Sequence, residues 1–107
     1  MVDKLFLKII NRELPADILY EDDKVIAFLD IKPVRKGHFL VIPKNYSRNL
    51  ISIKEDDFIY LMTKSRELAL EQIKKLNVKG FQLIVNNEPE AKQVVFHTHV
   101  HIIPSDK

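Results

Sequence analysis

Three of the chain's four histidines, His97, His99 and His101, stand at alternate positions in the run Phe96-His97-Thr98-His99-Val100-His101-Ile102-Ile103. Imidazole changes charge near neutral pH and can act as nucleophile, base, acid or metal ligand. The intervening Thr98, Val100 and Ile102 are β-branched and favour an extended backbone, on which alternate side chains share a face. At a rise of about 3.4 Å per residue, neighbouring rings start about 7 Å apart and the outer two about 14 Å apart. That spacing makes a row and not a cluster. A zinc ion held about 2 Å from each nitrogen can take two members of the row, but a regular strand does not let all three converge. The row therefore suits an elongated substrate, along which each ring meets a different atom.

A strand carrying such a row needs a sheet around it, and the rest of the chain supplies the pieces. Leu5 to Ile10 places apolar residues at 5, 6, 7, 9 and 10, a short helix whose extension is limited by Pro15. Ile18 to Tyr20 and Val25 to Leu29 flank the polar Glu21-Asp22-Asp23-Lys24 and read as a hairpin closed by Asp30. Pro33 and Gly37, with Lys32, Arg35 and Lys36, mark a positively charged ordered loop. His38 to Ile42 is a third strand, stopped by Pro43. Ser52 and Glu55 form a capping-box pattern. From there Phe58, Leu61, Met62, Ser65, Leu68, Ala69, Ile73 and Leu76 trace one face of a helix of about 22 residues. Lys74 and Lys75 lie near its end, Gly80 just past it, and its other face should be charged and solvated. Phe81 to Asn86 and Val94 to Ile103 complete the set, joined by a polar segment. The expected fold is α+β, a five-stranded antiparallel sheet with one long helix and a short N-terminal helix, in a single domain spanning 1–107.

Bulk composition excludes several classes. At 107 residues, 46% hydrophobic and 30% charged, the chain is of ordinary globular make-up and long enough for one core. A net charge of +2 without a basic stripe argues against nucleic acid as a partner. Without cysteine there is no disulfide framework and no cysteine nucleophile or ligand. No apolar run approaches the roughly 18 residues of a membrane span, and the N-terminus lacks the pattern of a signal peptide, so no membrane partner is expected and the cytoplasm is the default location. Gly37 and Gly80 are the only glycines, which rules out a glycine-rich phosphate loop.

The His-x-His-x-His run followed by apolar residues resembles the signature of the histidine triad (HIT) superfamily of nucleotide hydrolases and transferases. The resemblance extends through Tyr20-Glu21-Asp22-Asp23, Phe28-Leu29-Asp30-Ile31-Lys32-Pro33, Gly37 to Lys44 and Asn86-Asn87, and so covers nearly the whole chain. It is nearest to the nucleotide-binding, nucleoside-phosphoramidase branch. It implies that His99 attacks the α-phosphorus, which requires a neutral ring presenting Nε2, enforced by a backbone carbonyl that takes the Nδ1 proton. His101 would contact phosphate or protonate the leaving group. His97 and His38 would be the outer pair, fixing ring orientation and tautomer. Asp30 would hold the ribose hydroxyls, with Phe6, Phe28 and Ile31 as apolar walls for the base and the amides of Asn86 and Gln93 near the phosphate or leaving group. The same resemblance implies a purine nucleotide as the small-molecule partner and a two-fold homodimer whose sheets run together.

Departures from the pattern carry expectations of their own. Many relatives hold a small zinc site, but the matching positions here are Lys4, Leu7 and Tyr46, leaving His97 alone, so neither a metal nor any other cofactor is expected. Lys92 stands where a glycine is usual and Val94 where a hydroxyl residue is usual. Loss of one transition-state donor can cost on the order of 100-fold in rate. Three readings follow: a phosphoramidate hydrolase releasing AMP through a nucleotidyl-His99 intermediate, a dinucleoside polyphosphate hydrolase, and a nucleotide-binding regulatory module with little catalysis.

Overall fold

A computed structural model describes residues 3–106. The elements in order are α1 (Leu5–Ile10), β1 (Ile18–Glu21), β2 (Val25–Leu29), β3 (Phe39–Pro43), α2 (Glu55–Leu76), β4 (Gly80–Ile84), a 3-10 turn (Pro89–Ala91) and β5 (Val100–Ser105). The five strands form one antiparallel sheet in the order β1-β2-β3-β5-β4. This is the α+β architecture expected from the sequence, with the long helix between the third and fourth strands.

Alternation along the strands divides the core into two layers. Val25 and Ala27 of β2, Phe39 and Val41 of β3, and Val100 and Ile102 of β5 face α2, where Leu61, Leu68 and Ala69 close over them. Ile26, Phe28, Leu40 and Ile42 face the other way and are covered by Phe6 and Ile9 of α1. Each fully buried side chain of this kind contributes about 1.5–3 kcal/mol. His101 pairs with Leu40 in the β3–β5 register, so it belongs to the α1 face.

Beyond shifts of one or two residues at the ends of β1, β3 and β4, three boundaries differ from expectation. α2 begins at Glu55 with Lys54 as its N-cap and no side-chain cap, so the Ser52–Glu55 capping box is not formed; the Ser52 hydroxyl turns back to the Asn49 carbonyl instead. Glu55, Asp56 and Asp57 in the first turn favour that terminus electrostatically. At the other end Asn77, not Gly80, takes the left-handed closing position at φ 56°. Most consequentially, β5 starts at Val100 and not at Val94. β3 ends at Pro43, which has no N–H to offer a ladder, and the chain from Val95 to His99 leaves the sheet to fasten elsewhere.

The outer face of α2 is also less polar than its pattern suggests. Ile59 and Leu70 are 55% and 43% exposed, on one stripe with the half-buried Met62 and Ile73, interrupted by the exposed Arg66.

Candidate active site

His38, His97, His99 and His101 come together on the α1 face, each ring held by a hydrogen bond. Gly37, at φ +86°, makes the turn into β3 and needs glycine for that conformation; a Cβ there would lie 2.5 Å from Leu76 Cδ1 and push the end of that side chain aside. The turn delivers His38, whose Nδ1 accepts the Val34 N–H at 3.0 Å. An accepting Nδ1 places the His38 proton on Nε2, which donates to His101 Nδ1 at 3.0 Å. His101 is then protonated on Nε2. His99 has the opposite tautomer: its Nδ1–H donates to the His97 carbonyl at 2.7 Å, leaving Nε2 as a bare lone pair.

His97 does not lie on the strand. It is fully buried, with Nε2–H donating to the Pro43 carbonyl at 2.8 Å, its ring edge-on to Phe6 and Tyr46, and Nδ1 without a partner among the described residues. The neighbouring Thr98 anchors the same bend, its N–H donating to the Ser47 carbonyl at 2.8 Å and its hydroxyl bonded to that of Ser47. Off the strand, the rings draw closer than a regular row permits: 4.9 Å between the centroids of His99 and His101, and 5.0 Å from His99 to Phe6.

Burial lowers the pKa of all four imidazoles. His101 is pushed down to about 4 by burial together with repulsion from His99 and His38. For His99 the lowering by burial is opposed by its bond to the His97 carbonyl and by Asp30 and Asp3. His38 is lowered by burial and partly restored by Asp30, whose Oδ2 lies 3.5 Å from Nε2. The row is therefore neutral at physiological pH, as its tautomers require.

A cleft of about 460 Å³ opens over the row. Phe6, Asp30, Ile31, Asn86, Gln93, His99 and His101 all line it, as do Leu5, Lys92 and Val94. Phe28 does not reach it: the ring is buried, edge-on behind Phe6 at 5.9 Å, and supports the wall from within. His38 and His97 likewise sit behind the lining. Gln93 borders the cleft, but its amide is spent on the loop. Oε1 accepts from Asn49 Nδ2 and the Glu88 N–H, while Nε2 donates to the Arg48 and Val95 carbonyls. The Glu88 carboxylate meets Arg48 at 2.8 and 3.2 Å and Asn49 Nδ2 at 2.5 Å. This clasp holds a loop in which Glu88 (φ 80°, ψ 156°) and Lys92 (φ 71°) adopt conformations that cost about 1–3 kcal/mol for residues other than glycine. Arg48, Asn49 and Asp3, which accepts the Phe96 N–H at 2.8 Å, were not singled out from the sequence. Their partners in these bonds lie 39 to 93 residues away, and no local pattern marks them.

Two places could bear on a metal. Asp30, His38 and His101 bring ligand atoms within 4.8 Å of one another, yet the His38–His101 hydrogen bond already occupies the facing nitrogens. Around His97 the donors do not fit zinc: the Tyr46 hydroxyl is committed to the Phe96 carbonyl, and Leu7 offers no ligand atom.

A family model described as the HIT domain matches residues 11–107. A HIT-like protein of Mesomycoplasma hyorhinis is 68% identical over 102 residues, spanning 95% of this chain and 92% of its own length. A hypothetical histidine triad nucleotide-binding protein of Sulfolobus tokodaii superposes with a TM-score of 0.91 at 42% identity, over 94% of this chain and 67% of that one. A HIT family hydrolase of Clostridium thermocellum superposes with a TM-score of 0.83 at 39% identity, over 94% of this chain and 89% of that one.

Proposed function

The chain belongs to the HIT family, and from that membership and the tautomers of its histidines we propose that it is a purine nucleotide hydrolase of the nucleoside phosphoramidase type. One observation carries the reading: the His97 carbonyl takes the Nδ1 proton of His99, so Nε2 is an unprotonated nucleophile at the wall of the cleft. In the first step that lone pair attacks the α-phosphorus, the phosphorus–nitrogen bond breaks, and the departing amine takes a proton from solvent through a water held at the His101 Nε2–H. In the second step water attacks the nucleotidyl-histidine and gives a proton back to solvent, the bond from phosphorus to Nε2 breaks, AMP leaves, and His99 is again neutral. Asp30 would receive the ribose hydroxyls and Phe6, Leu5 and Ile31 the base, with Asn86 near the phosphate. Gln93 acts in this scheme by holding the loop, not by touching phosphate.

Mixing the protein with adenosine phosphoramidate and quenching within milliseconds should give an adenylyl adduct, located on His99 by fragmentation and missing from a folded His99→Ala variant. An unmodified protein, or an adduct elsewhere, overturns the scheme. A second reading, a nucleotide-binding module with little catalysis, is favoured by Val94. It is 81% exposed at the cleft lip and has no hydroxyl to offer a leaving atom. Micromolar AMP binding with no turnover in a single-turnover experiment would select it. We also propose a two-fold homodimer, supported by the unpaired outer edge of β4 and the apolar stripe on α2.

A further inference from the structure

Strain kept at the lip of a cleft asks for a reason, because Glu88 and Lys92 would each sit in their backbone conformations more easily as glycine. The clasp of Arg48, Asn49 and Gln93 on Glu88 explains how the loop is held. It does not explain why a long cationic side chain stands at Lys92.

The cleft's charges supply an answer. Asp30, Lys32 and Lys92 are the charged residues that line it. Asp30 and Lys32 are two residues apart and opposite in charge, so together they add no net charge to the lining, although the bond between them, 2.8 Å to Asp30 Oδ1, comes from the Lys32 backbone N–H and not from its ammonium. Lys92 has no such neighbour in the lining: Glu88 is engaged by Arg48 and Asn49, Glu90 is exposed on the turn outside the cleft, and none of the ion pairs among the described residues includes Lys92. The apolar walls Leu5, Phe6 and Ile31, with Asp30, account for a nucleoside. Asn86, Lys92 and Val94 are left for whatever lies beyond the α-phosphate.

We propose that Lys92 is a specificity residue that favours substrates whose leaving group is acidic, an amine or ester carrying a carboxylate or phosphate, over those whose leaving group is neutral or basic. This rests on the hydrolase reading above and adds the charge of the group expelled.

The test compares kcat/KM for three adenosine 5′-phosphoramidates whose leaving amines carry a carboxylate, no charge, or a second amine. The parent should prefer the acidic over the neutral one by about fivefold, the size of a single exposed ion pair. The preference should shrink in high salt, which screens such a pair. Lys92→Gly should bring the ratio close to one and Lys92→Glu should invert it. Equal turnover of all three by the parent, or an unchanged order in Lys92→Glu, overturns the assignment while leaving the hydrolase reading intact. Absence of turnover with every leaving group overturns the hydrolase reading. A calorimetric comparison of AMP with α,β-methylene ADP then decides about Lys92. A diphosphate bound about fivefold more tightly by the parent, and no more tightly than AMP by Lys92→Glu, supports its role. Equal affinities, or no binding of either, refute it.

Discussion

At the scale of single residues, His101 is the ring most sensitive to what enters the cleft. Burial and two neighbouring imidazoles push its pKa down to about 4, so it is neutral while its Nε2–H is the donor left over from the bond with His38. An anionic phosphate beside that donor favours the protonated ring and must raise the pKa. Following the His101 ring proton by NMR between pH 4 and 8 should show a rise of roughly one unit or more on saturation with AMP. A shift confined to His99, or none, would place the phosphate elsewhere. The row was not legible as a strand, since only His101 stands on β5, but the gathering of its imidazoles was legible in the alternation of His97, His99 and His101. Its tautomers were not, because they are set by the Val34 N–H and by the Pro43 and His97 carbonyls, groups that every sequence has and only a fold can aim. The same limit applies to Phe28 and Gln93. Their residue types suit a base wall and a phosphate contact, but burial puts one behind Phe6 and hydrogen bonding turns the other into the loop.

Among the elements, the contact between the β1–β2 turn and α2 is made by polar side chains. Asp22 accepts the Tyr20 hydroxyl at 2.8 Å, the Tyr60 hydroxyl, and the N–H groups of Lys24 and Val25 at 2.7 and 2.8 Å. Those bonds hold its carboxyl well below the usual carboxylate range against the desolvation that opposes them, and Tyr60 is pushed up to about 12. A carboxylate depressed in the folded state stabilises it fully above its unfolded pKa of about 4, and that contribution declines progressively as pH falls from there through the depressed folded value. The buried histidines act in the same direction over a higher window. Their folded pKa values lie below the ordinary value, so acidification from about 6.5 downward favours the unfolded chain, which binds the protons first. Asp22→Ala should cost about 2 kcal/mol at pH 7 and less near pH 3, read from urea unfolding at the two values. An equal loss at both would mean that the ion is not what the tyrosines recognise. Turn-forming acids were legible between the two strands. That one of them would reach 38 residues ahead to Tyr60 was not. The late start of β5 has a similar origin, since β-branched Thr98 favours a strand locally but finds Ser47 and not a ladder partner.

For the molecule as a whole, the open surfaces are as informative as the closed ones. β1 and β4 are the two sheet edges, and among the described residues neither has a strand on its outer side. β1 shields its edge with charge: Glu21 pairs with Lys44 at 2.7 Å and with Arg12. The five residues of β4, Gly80 to Ile84, contain no charge at all. The exposed Ile59 and Leu70 of α2 add apolar area on a helix that itself contacts β4. An unprotected edge next to an apolar stripe is a template for a second strand and a second helix, and two copies related by a two-fold axis can satisfy both at once. On this argument the protein should sediment as a dimer at micromolar concentration. Leu70→Lys and Ile59→Lys together should shift it toward monomer by about tenfold or more in dissociation constant, since two buried apolar contacts are replaced by like charges facing each other. Because the histidine row and its cleft are built within one chain, the monomeric variant should still bind AMP. Sedimentation of the parent as a monomer at high concentration would remove the dimer, and loss of AMP binding in a folded monomeric variant would mean that the partner completes the cleft.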